Sequence, residues 1–390
     1  MPLHEFREVK DSTGSSSRYG FSVATPPRLH LIESFAPLQA LPPAFSLEVH
    51  HSRRLQAETE RGGMNIDPRH LRSIMVKFGL RIPSFPVDGS GGASFIEQVL
   101  SFVGRLSGEF DSAWVCDHLY PWADFVPRET PNLECLTTIS YLSALHPSLT
   151  FGSIVLCNSF RSPVVVAKMG ATLQMLSGGR FVLGIGAGWK EDEYRAYGYE
   201  FPPARIRIAQ LEEAVRIIRE MWTKGVSRFK GRFYRVEAAY CYPKPEPVPP
   251  IMIGGGGERY TLRVVAKWAD WWNIPNVSLD TYRHKLRVLE EHCRAVGRDP
   301  GEIVKTLANI VAIAGKSGDA WRLAEESPFI ARGEEDRFIV GSPEEVLEKI
   351  ADYVELGVEH FMLRFVDFPR TDGAKLFARK VIPYFREQVP

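Results

Sequence analysis

No uninterrupted apolar run in this 390-residue chain reaches the length of a bilayer span, which takes about 20 residues. The opening residues, Met1 to Arg7, lead into polar sequence and not into an apolar signal core, so a membrane is not an expected partner. Charge of one sign is not in surplus either: Lys and Arg number 48 against 47 Asp and Glu. Without a basic excess, nucleic acid is not an expected partner of the chain as a whole. The five cysteines (Cys116, Cys135, Cys157, Cys241, Cys293) are odd in number, widely spaced and form no Cys-x-x-Cys. That pattern argues against a disulfide framework or a zinc site and for a reducing, cytoplasmic home. No Gly-x-Ser-x-Gly nucleophile elbow is present, the one Glu-x-x-His (Glu48 to His51) sits in unpatterned sequence, and no Asp/Glu array has metal-ligand spacing. Serine hydrolysis and metal-assisted hydrolysis therefore lose ground, and no metal site is expected.

What the chain does have is a large apolar fraction, 44%, enough for one big α/β barrel or two ordinary domains. Residues 1–74 carry a Gly14-Ser15-Ser16-Ser17 run, a Pro-rich stretch from Pro37 to Pro43 and a charged stretch from His50 to Arg61. No sustained hydrophobic period appears there, so the segment is expected to be a low-complexity, disordered extension, or to reflect a start site assigned upstream of Met75. Residues 75–390 are expected to form one domain. From Met75 onward short β-rich runs alternate with amphipathic helical patterns, which predicts parallel strands joined by crossover helices. The eight strand candidates are Lys77 to Ile82, Ser112 to Asp117, Thr150 to Leu156, Phe181 to Ile185, Pro250 to Ile253, Trp271 to Ile274, Lys305 to Ala314 and His360 to Phe365. Eight such units in about 315 residues is the count of a (β/α)8 TIM barrel with insertions. The clearest helices are Ile208 to Trp222 and the one starting at Ser342-Pro343-Glu344-Glu345, where cap, proline and glutamate fall in capping-box order. Between the fourth and fifth strands, Ser227 to Val236 reads as a hairpin turning at Lys230-Gly231.

The strongest local signal is Pro249-Pro250-Ile251-Met252-Ile253 followed by Gly254, Gly255, Gly256 and Gly257 and then a helical pattern from Tyr260 to Trp268. A buried strand that delivers a glycine turn to a helix start can hold a phosphate on main-chain N–H groups alone. The other reading is a flexible hinge. In a barrel the chemistry lies at the carboxyl ends of the strands. There the second strand delivers Asp117 and His118, either a proton-handling pair or a structural pair that fixes a loop. The fourth strand ends in Gly184-Ile185-Gly186-Ala187-Gly188-Trp189. Its G-x-G-x-G spacing departs from the dinucleotide fingerprint, and Gly186 and Gly188 are expected to let a flat ring approach the backbone. Trp114, Trp122, Trp189, Trp271 and Trp272 suit either a planar redox cofactor or ordinary core packing.

Six motifs in the same order, Phe78 to Pro83, Trp114 to His118, Leu176 to Phe181, Gly184 to Trp189, Tyr197-Gly198 with Phe201 to Pro203, and Ile253 to Arg259, make residues from Met75 onward resemble the bacterial-luciferase-like monooxygenase superfamily. Within it the chain is similar to the coenzyme F420-dependent oxidoreductase branch. The resemblance implies a TIM barrel, usually a homodimer, that binds F420 or its flavin counterpart FMN and acts on a small-molecule substrate. It places the cofactor phosphate on Gly254 to Gly257 and the ring against the third strand, where a non-prolyl cis peptide is implied between Ile154 and Val155. Asp117 and His118 match the pair that flanks the reactive ring face. The implied reaction is hydride transfer between the deazaflavin and an organic substrate; the alternative is a two-component monooxygenase using reduced FMN from a separate reductase. Some deazaflavin dehydrogenases have a catalytic glutamate where this chain has Trp189, so their substrates do not carry over. The substrate pocket is expected from Lys190 to Pro250 and from the loop Ser317 to Arg337, the parts in which such barrels vary.

Overall fold

The computed structural model describes residues 75–386; the extension read at residues 1–74, with its Glu48-x-x-His51, lies outside the described residues. The apolar runs become a ring of parallel strands: β1 (Lys77–Ile82), β2 (Ser112–Val115), β3 (Thr150–Ser153, resuming at Leu156–Cys157), β4 (Phe181–Gly186), β5 (Ile251–Gly254), β6 (Trp271–Pro275), β7 (Val304–Ile313) and β8 (Val358–Phe365). Each pairs with the next in sequence, and β8 pairs with β1, so the sheet closes on itself. This is the TIM barrel that the alternation predicts. A short additional strand, Ile339–Gly341, pairs with the end of β7. Its three residues are too few to carry a sequence period.

Alternate residues of each strand face helices or barrel interior, which divides the apolar residues into two sets. Phe78, Leu80, Phe361 and Leu363 join the large core between barrel and helices. Trp114, Val182, Met252, Ala308 and Met362 instead form a compact cluster inside the ring. Trp114 fills the lower barrel: a Cβ at Gly152 would lie 2.2 Å from its ring and one at Gly79 2.6 Å from its indole nitrogen. Trp114 Nε1–H donates to Ser112 Oγ at 2.8 Å, and Ser112 Oγ lies 2.8 Å from His360 Nε2. Trp114 and Trp272 are thus core residues, and the pocket begins above this floor.

The capping box is present in full, Ser342 accepting from the Glu345 backbone and Glu345 from the Ser342 backbone. The hairpin forms from Ser227–Lys230 and Arg235–Ala239, with its turn later than the sequence suggests. The cause is Glu213 of the helix Ala204–Thr223, whose carboxylate accepts from the backbone N–H groups of Arg232, Phe233 and Tyr234. Among the described residues no helix is long and apolar enough to cross a membrane.

Candidate active site

A cavity of about 550 Å3 opens at the carboxyl ends of the strands, a volume in the range of small-molecule and cofactor sites. The break in β3 shapes its wall. The Ile154–Val155 peptide is cis, and the Val155 side chain lies against the ends of β4 and β5. A Cβ on Gly186 would come within 2.8 Å of Val155 Cγ2, and one on Gly254 within 3.0 Å of both Val155 methyls. Gly188 adopts φ +73°, and a Cβ there would lie 1.9 Å from Tyr194 Oη. These glycines make room for the Val155 and Tyr194 side chains, and Gly186 and Gly188 also line the cavity in which the sequence reading expected a flat ring to approach the backbone.

The glycine run turns from β5 into the helix Thr261–Trp268. Gly255, at φ +121°, is in the region that only glycine occupies readily. Its N–H donates to Asn273 O and its carbonyl accepts from Trp272 Nε1–H at 3.0 Å, so the turn is fixed and the hinge reading does not apply. No side chain caps the helix start. Gly254, Gly255 and Gly257 line the cavity. Gly256 packs the other way, with space for a Cβ closed by Ile274 Cδ1 at 2.4 Å. Lys285, paired with Glu258, brings a cation up to this turn; nothing in its own helical sequence marked it.

Asp117 and His118, adjacent in sequence, part company in space. Asp117 is buried, and Arg161 binds it through two nitrogens, each 2.8 Å from a carboxylate oxygen. The same carboxylate accepts the Cys157 N–H at 2.8 Å, so it ties the resumed β3 to β2. Arg161 also pairs with Glu134, which caps the helix Cys135–Leu145. His118 turns to Glu193, with Nδ1 2.9 Å from Oε2. The other Glu193 oxygen accepts the Leu119 N–H at 2.6 Å. Glu193 has only 2% of its side chain exposed, against 15% for His118. In sequence Glu191, Asp192 and Glu193 are indistinguishable acids at a helix start; burial alone singles out the third. Trp189 meets the His118 ring edge-to-face at 5.8 Å. Further round, Cys157 Sγ lies 2.9 Å from Tyr194 Oη, and burial pushes the thiol up to about 11, so it stays protonated.

Of the two variable segments, the insertion after β4 lines this cavity and the loop Ser317 to Arg337 does not. Lys190, Ala204, Arg207 and Ile208 come from the insertion after β4, while Phe329, in the loop before Ile339, packs on Trp122 at 5.8 Å. Asn276, just past β6, takes φ 43° and presents a buried, unpaired Oδ1.

A closed parallel barrel with its cavity at the carboxyl ends, a fixed glycine turn before a helix and a carboxylate-oriented histidine belong to the TIM-barrel oxidoreductases. The luciferase-like monooxygenase family model matches residues 107–338, and the chain belongs to that family of oxidoreductases and monooxygenases. An F420-dependent glucose-6-phosphate dehydrogenase of Microbacterium testaceum is 30% identical over 324 residues, 75% of this chain and 94% of that protein. One from Kineococcus radiotolerans is 29% identical over 307 residues, 71% of this chain and 89% of its own length. Among solved structures, an F420-dependent secondary alcohol dehydrogenase superposes with a TM-score of 0.65 at 19% identity, over 81% of this chain and all of that one. EDTA monooxygenase from Chelativorans sp. BNC1 gives 0.66 at 14% identity, over 80% and 94%. These two likenesses speak for the fold.

Proposed function

We propose that the protein is an F420-dependent oxidoreductase that moves a hydride between the deazaflavin and a small organic substrate. The observation that carries this reading is His118, held by the buried Glu193 at the lip of a cavity that also contains the glycine turn. The sequence relatives named as F420-dependent dehydrogenases support it.

The residues fit the cofactor. Its phosphate would be held at the Gly257 end of the turn and the uncapped helix start, since the Gly255 N–H is already given to Asn273 O, and a side chain on Gly255 or Gly257 would close on Thr261. Its ring would lie against Val155. When bound, the deazaflavin supplies a hydride acceptor or donor that does not activate oxygen. His118 then moves the proton: with Nδ1–H given to Glu193, Nε2 is the nitrogen left to accept the proton of an alcohol or return it to a carbonyl. Asp117 has both oxygens engaged, so we assign it to holding β3 against β2, and the proton transfer expected of the pair falls to His118 alone.

The test is a titration of the purified protein with F420 and with FMN, followed by absorbance and fluorescence. Saturable F420 binding, weakened roughly tenfold or more by Gly255→Asp, which brings bulk and like charge to the phosphate, supports the reading. Binding of FMN with no binding of F420, and a protein-dependent peroxyflavin signal under air, would replace it with the two-component monooxygenase.

A further inference from the structure

Two arginines face the barrel interior at the β1–β8 seam, and among the described residues neither has an acid in ion-pair contact. The register matches Leu80 to Leu363, so the next residues, Arg81 and Arg364, stand side by side on neighbouring strands. Leu80 and Leu363 belong to the outer core, which sends Arg81 and Arg364 inward. Arg81 lines the cavity, and its Nε and Nη1 are buried without a hydrogen-bond partner; Nη2 reaches only Cys116 Sγ, at 4.0 Å. Arg364 is 6% exposed and, among the described residues, has no ion pair. Its guanidinium lies over the Phe329 ring, 3.7 Å from the centroid, with Phe85 at 5.7 Å. Stacking satisfies the face of a guanidinium and leaves its edge N–H groups unmatched.

Two like charges desolvated side by side oppose folding unless something neutralises them. Burial, with Arg81 adjacent, pulls the Arg364 guanidinium down to about 9, the direction expected where a counter-charge is missing. The acids just past the neighbouring strands do not fill the role: Asp117, two residues after β2, is held by Arg161, and Asp367, after β8, accepts the Gly373 N–H. Nor does the phosphate of the proposed cofactor, because β5 with its glycine turn stands half-way round the ring from β1.

We propose that Arg81 and Arg364 receive a carboxylate of the substrate, whose attached body is flat and apolar. A carboxylate presents two coplanar oxygens to a guanidinium fork, and the flat apolar surface beside the pair is Trp122, which lines the cavity and packs on Phe85 and Phe329 behind it. The proposal deepens the oxidoreductase reading by naming a substrate class, and it rests on that reading only for which molecule carries the anion.

The probes are benzoate, its neutral isostere benzamide, inorganic phosphate and methanesulfonate, offered to the full chain with and without F420 in isothermal titration and thermal melting. Benzoate is expected to saturate and raise the melting temperature, benzamide to do neither, and Arg81→Gln and Arg364→Gln each to weaken benzoate roughly tenfold or more. Both variants are expected to melt no lower than the parent, since each removes an unpaired charge; should Arg364→Gln not fold, Arg81→Gln alone gives the reading. Equal binding of benzoate and benzamide, or benzoate affinity unchanged in the variants, overturns the site. Arginine-dependent binding of phosphate or methanesulfonate without benzoate overturns the carboxylate. F420 affinity in the variants is expected within a few-fold of the parent, so a parent that fails to bind F420 sinks the proposed function and leaves the anion site to stand on its own titration.

Discussion

His118 Nδ1 and Glu193 Oε2 meet at 2.9 Å across 75 residues of sequence. The contact sets which imidazole nitrogen carries hydrogen, because a carboxylate can only accept. Glu193 is itself locked, its other oxygen taking the Leu119 N–H. Replacing Glu193 by Gln should therefore reverse the tautomer: the amide oxygen keeps the Leu119 N–H, and the amide nitrogen is left to donate to His118 Nδ1.

Glu193→Gln is expected to lower kcat for substrate oxidation by roughly 10²-fold or more, with KM and F420 affinity within a few-fold. His118→Ala should give a comparable loss, without adding to that of Glu193→Gln in the double variant. The 15N shifts of the His118 ring report the tautomer without needing the substrate. Unchanged ring shifts in Glu193→Gln would refute the positioning role.

Asp117 and Arg161 make the other buried polar join in the wall. Asp117→Asn keeps an acceptor for the Cys157 N–H and for Arg161 Nη1 but removes the charge and the second contact, leaving the half-buried Glu134 as the sole charged partner of Arg161. Breaking a buried pair from one side costs about 3 kcal/mol, which in a domain of this size lowers the melting temperature by roughly 5–10 °C. Adding Arg161→Met should recover part of it. A midpoint equal to the parent's would show the pair contributes nothing.

The barrel was legible because eight β-rich runs separated by helical patterns admit few other architectures, and each run lies on a strand. Gly254 to Gly257 was legible for the same reason: glycine next to an apolar strand and a helix start has a local meaning. Asp117 and His118 were visible as residue types, but their partners Arg161 and Glu193 come from other strands and loops, and no local period links them. The cis peptide at Ile154–Val155 entered through family resemblance, not through those two side chains. Gly186 and Gly188 show the limit most directly. Their need for glycine is set by what packs on them, Val155 and Tyr194, and a sequence does not say whether the neighbour is a ligand or a side chain.

That contact gives a steric prediction free of backbone effects, since Gly186 has no positive φ. Gly186→Ala puts a methyl 2.8 Å from Val155 Cγ2, and overpacking of this kind costs roughly 1–3 kcal/mol. Val155→Ala should relieve most of it, so the two changes couple favourably by about 1 kcal/mol in a denaturation cycle. Gly184→Ala has no such rescue, because its Cβ would lie 1.9 Å from the Ser153 backbone oxygen. Additive single and double variants at 155 and 186 would mean that the wall relaxes elsewhere.

The barrel floor should make the protein acid-sensitive through His360. Burial pulls this histidine from 6.5 to about 4, and its bonding agrees: Ser112 Oγ takes the Trp114 N–H and is left to donate its one hydrogen to His360 Nε2, which must be unprotonated to accept it. Above pH 6.5 the imidazole is neutral both folded and unfolded, and the full stability is present. As pH falls toward 4 the unfolded chain takes up a proton that the folded one refuses, so stability is lost across that window and no further below it. At ~1.4 kcal/mol per pH unit the loss is roughly 3 kcal/mol. His146, also pushed down by burial, adds in the same direction. Most of the shifted carboxylates, among them Glu134 and Glu212, sit below 4.5, so the range from 6.5 to 4.5 belongs to the histidines. Denaturant midpoints measured at half-unit steps should fall steadily over that range in the parent and fall clearly less in His360→Gln, where an amide oxygen can accept from Ser112 without titrating and only the His146 share remains; an equal fall in both proteins would place the acid sensitivity elsewhere.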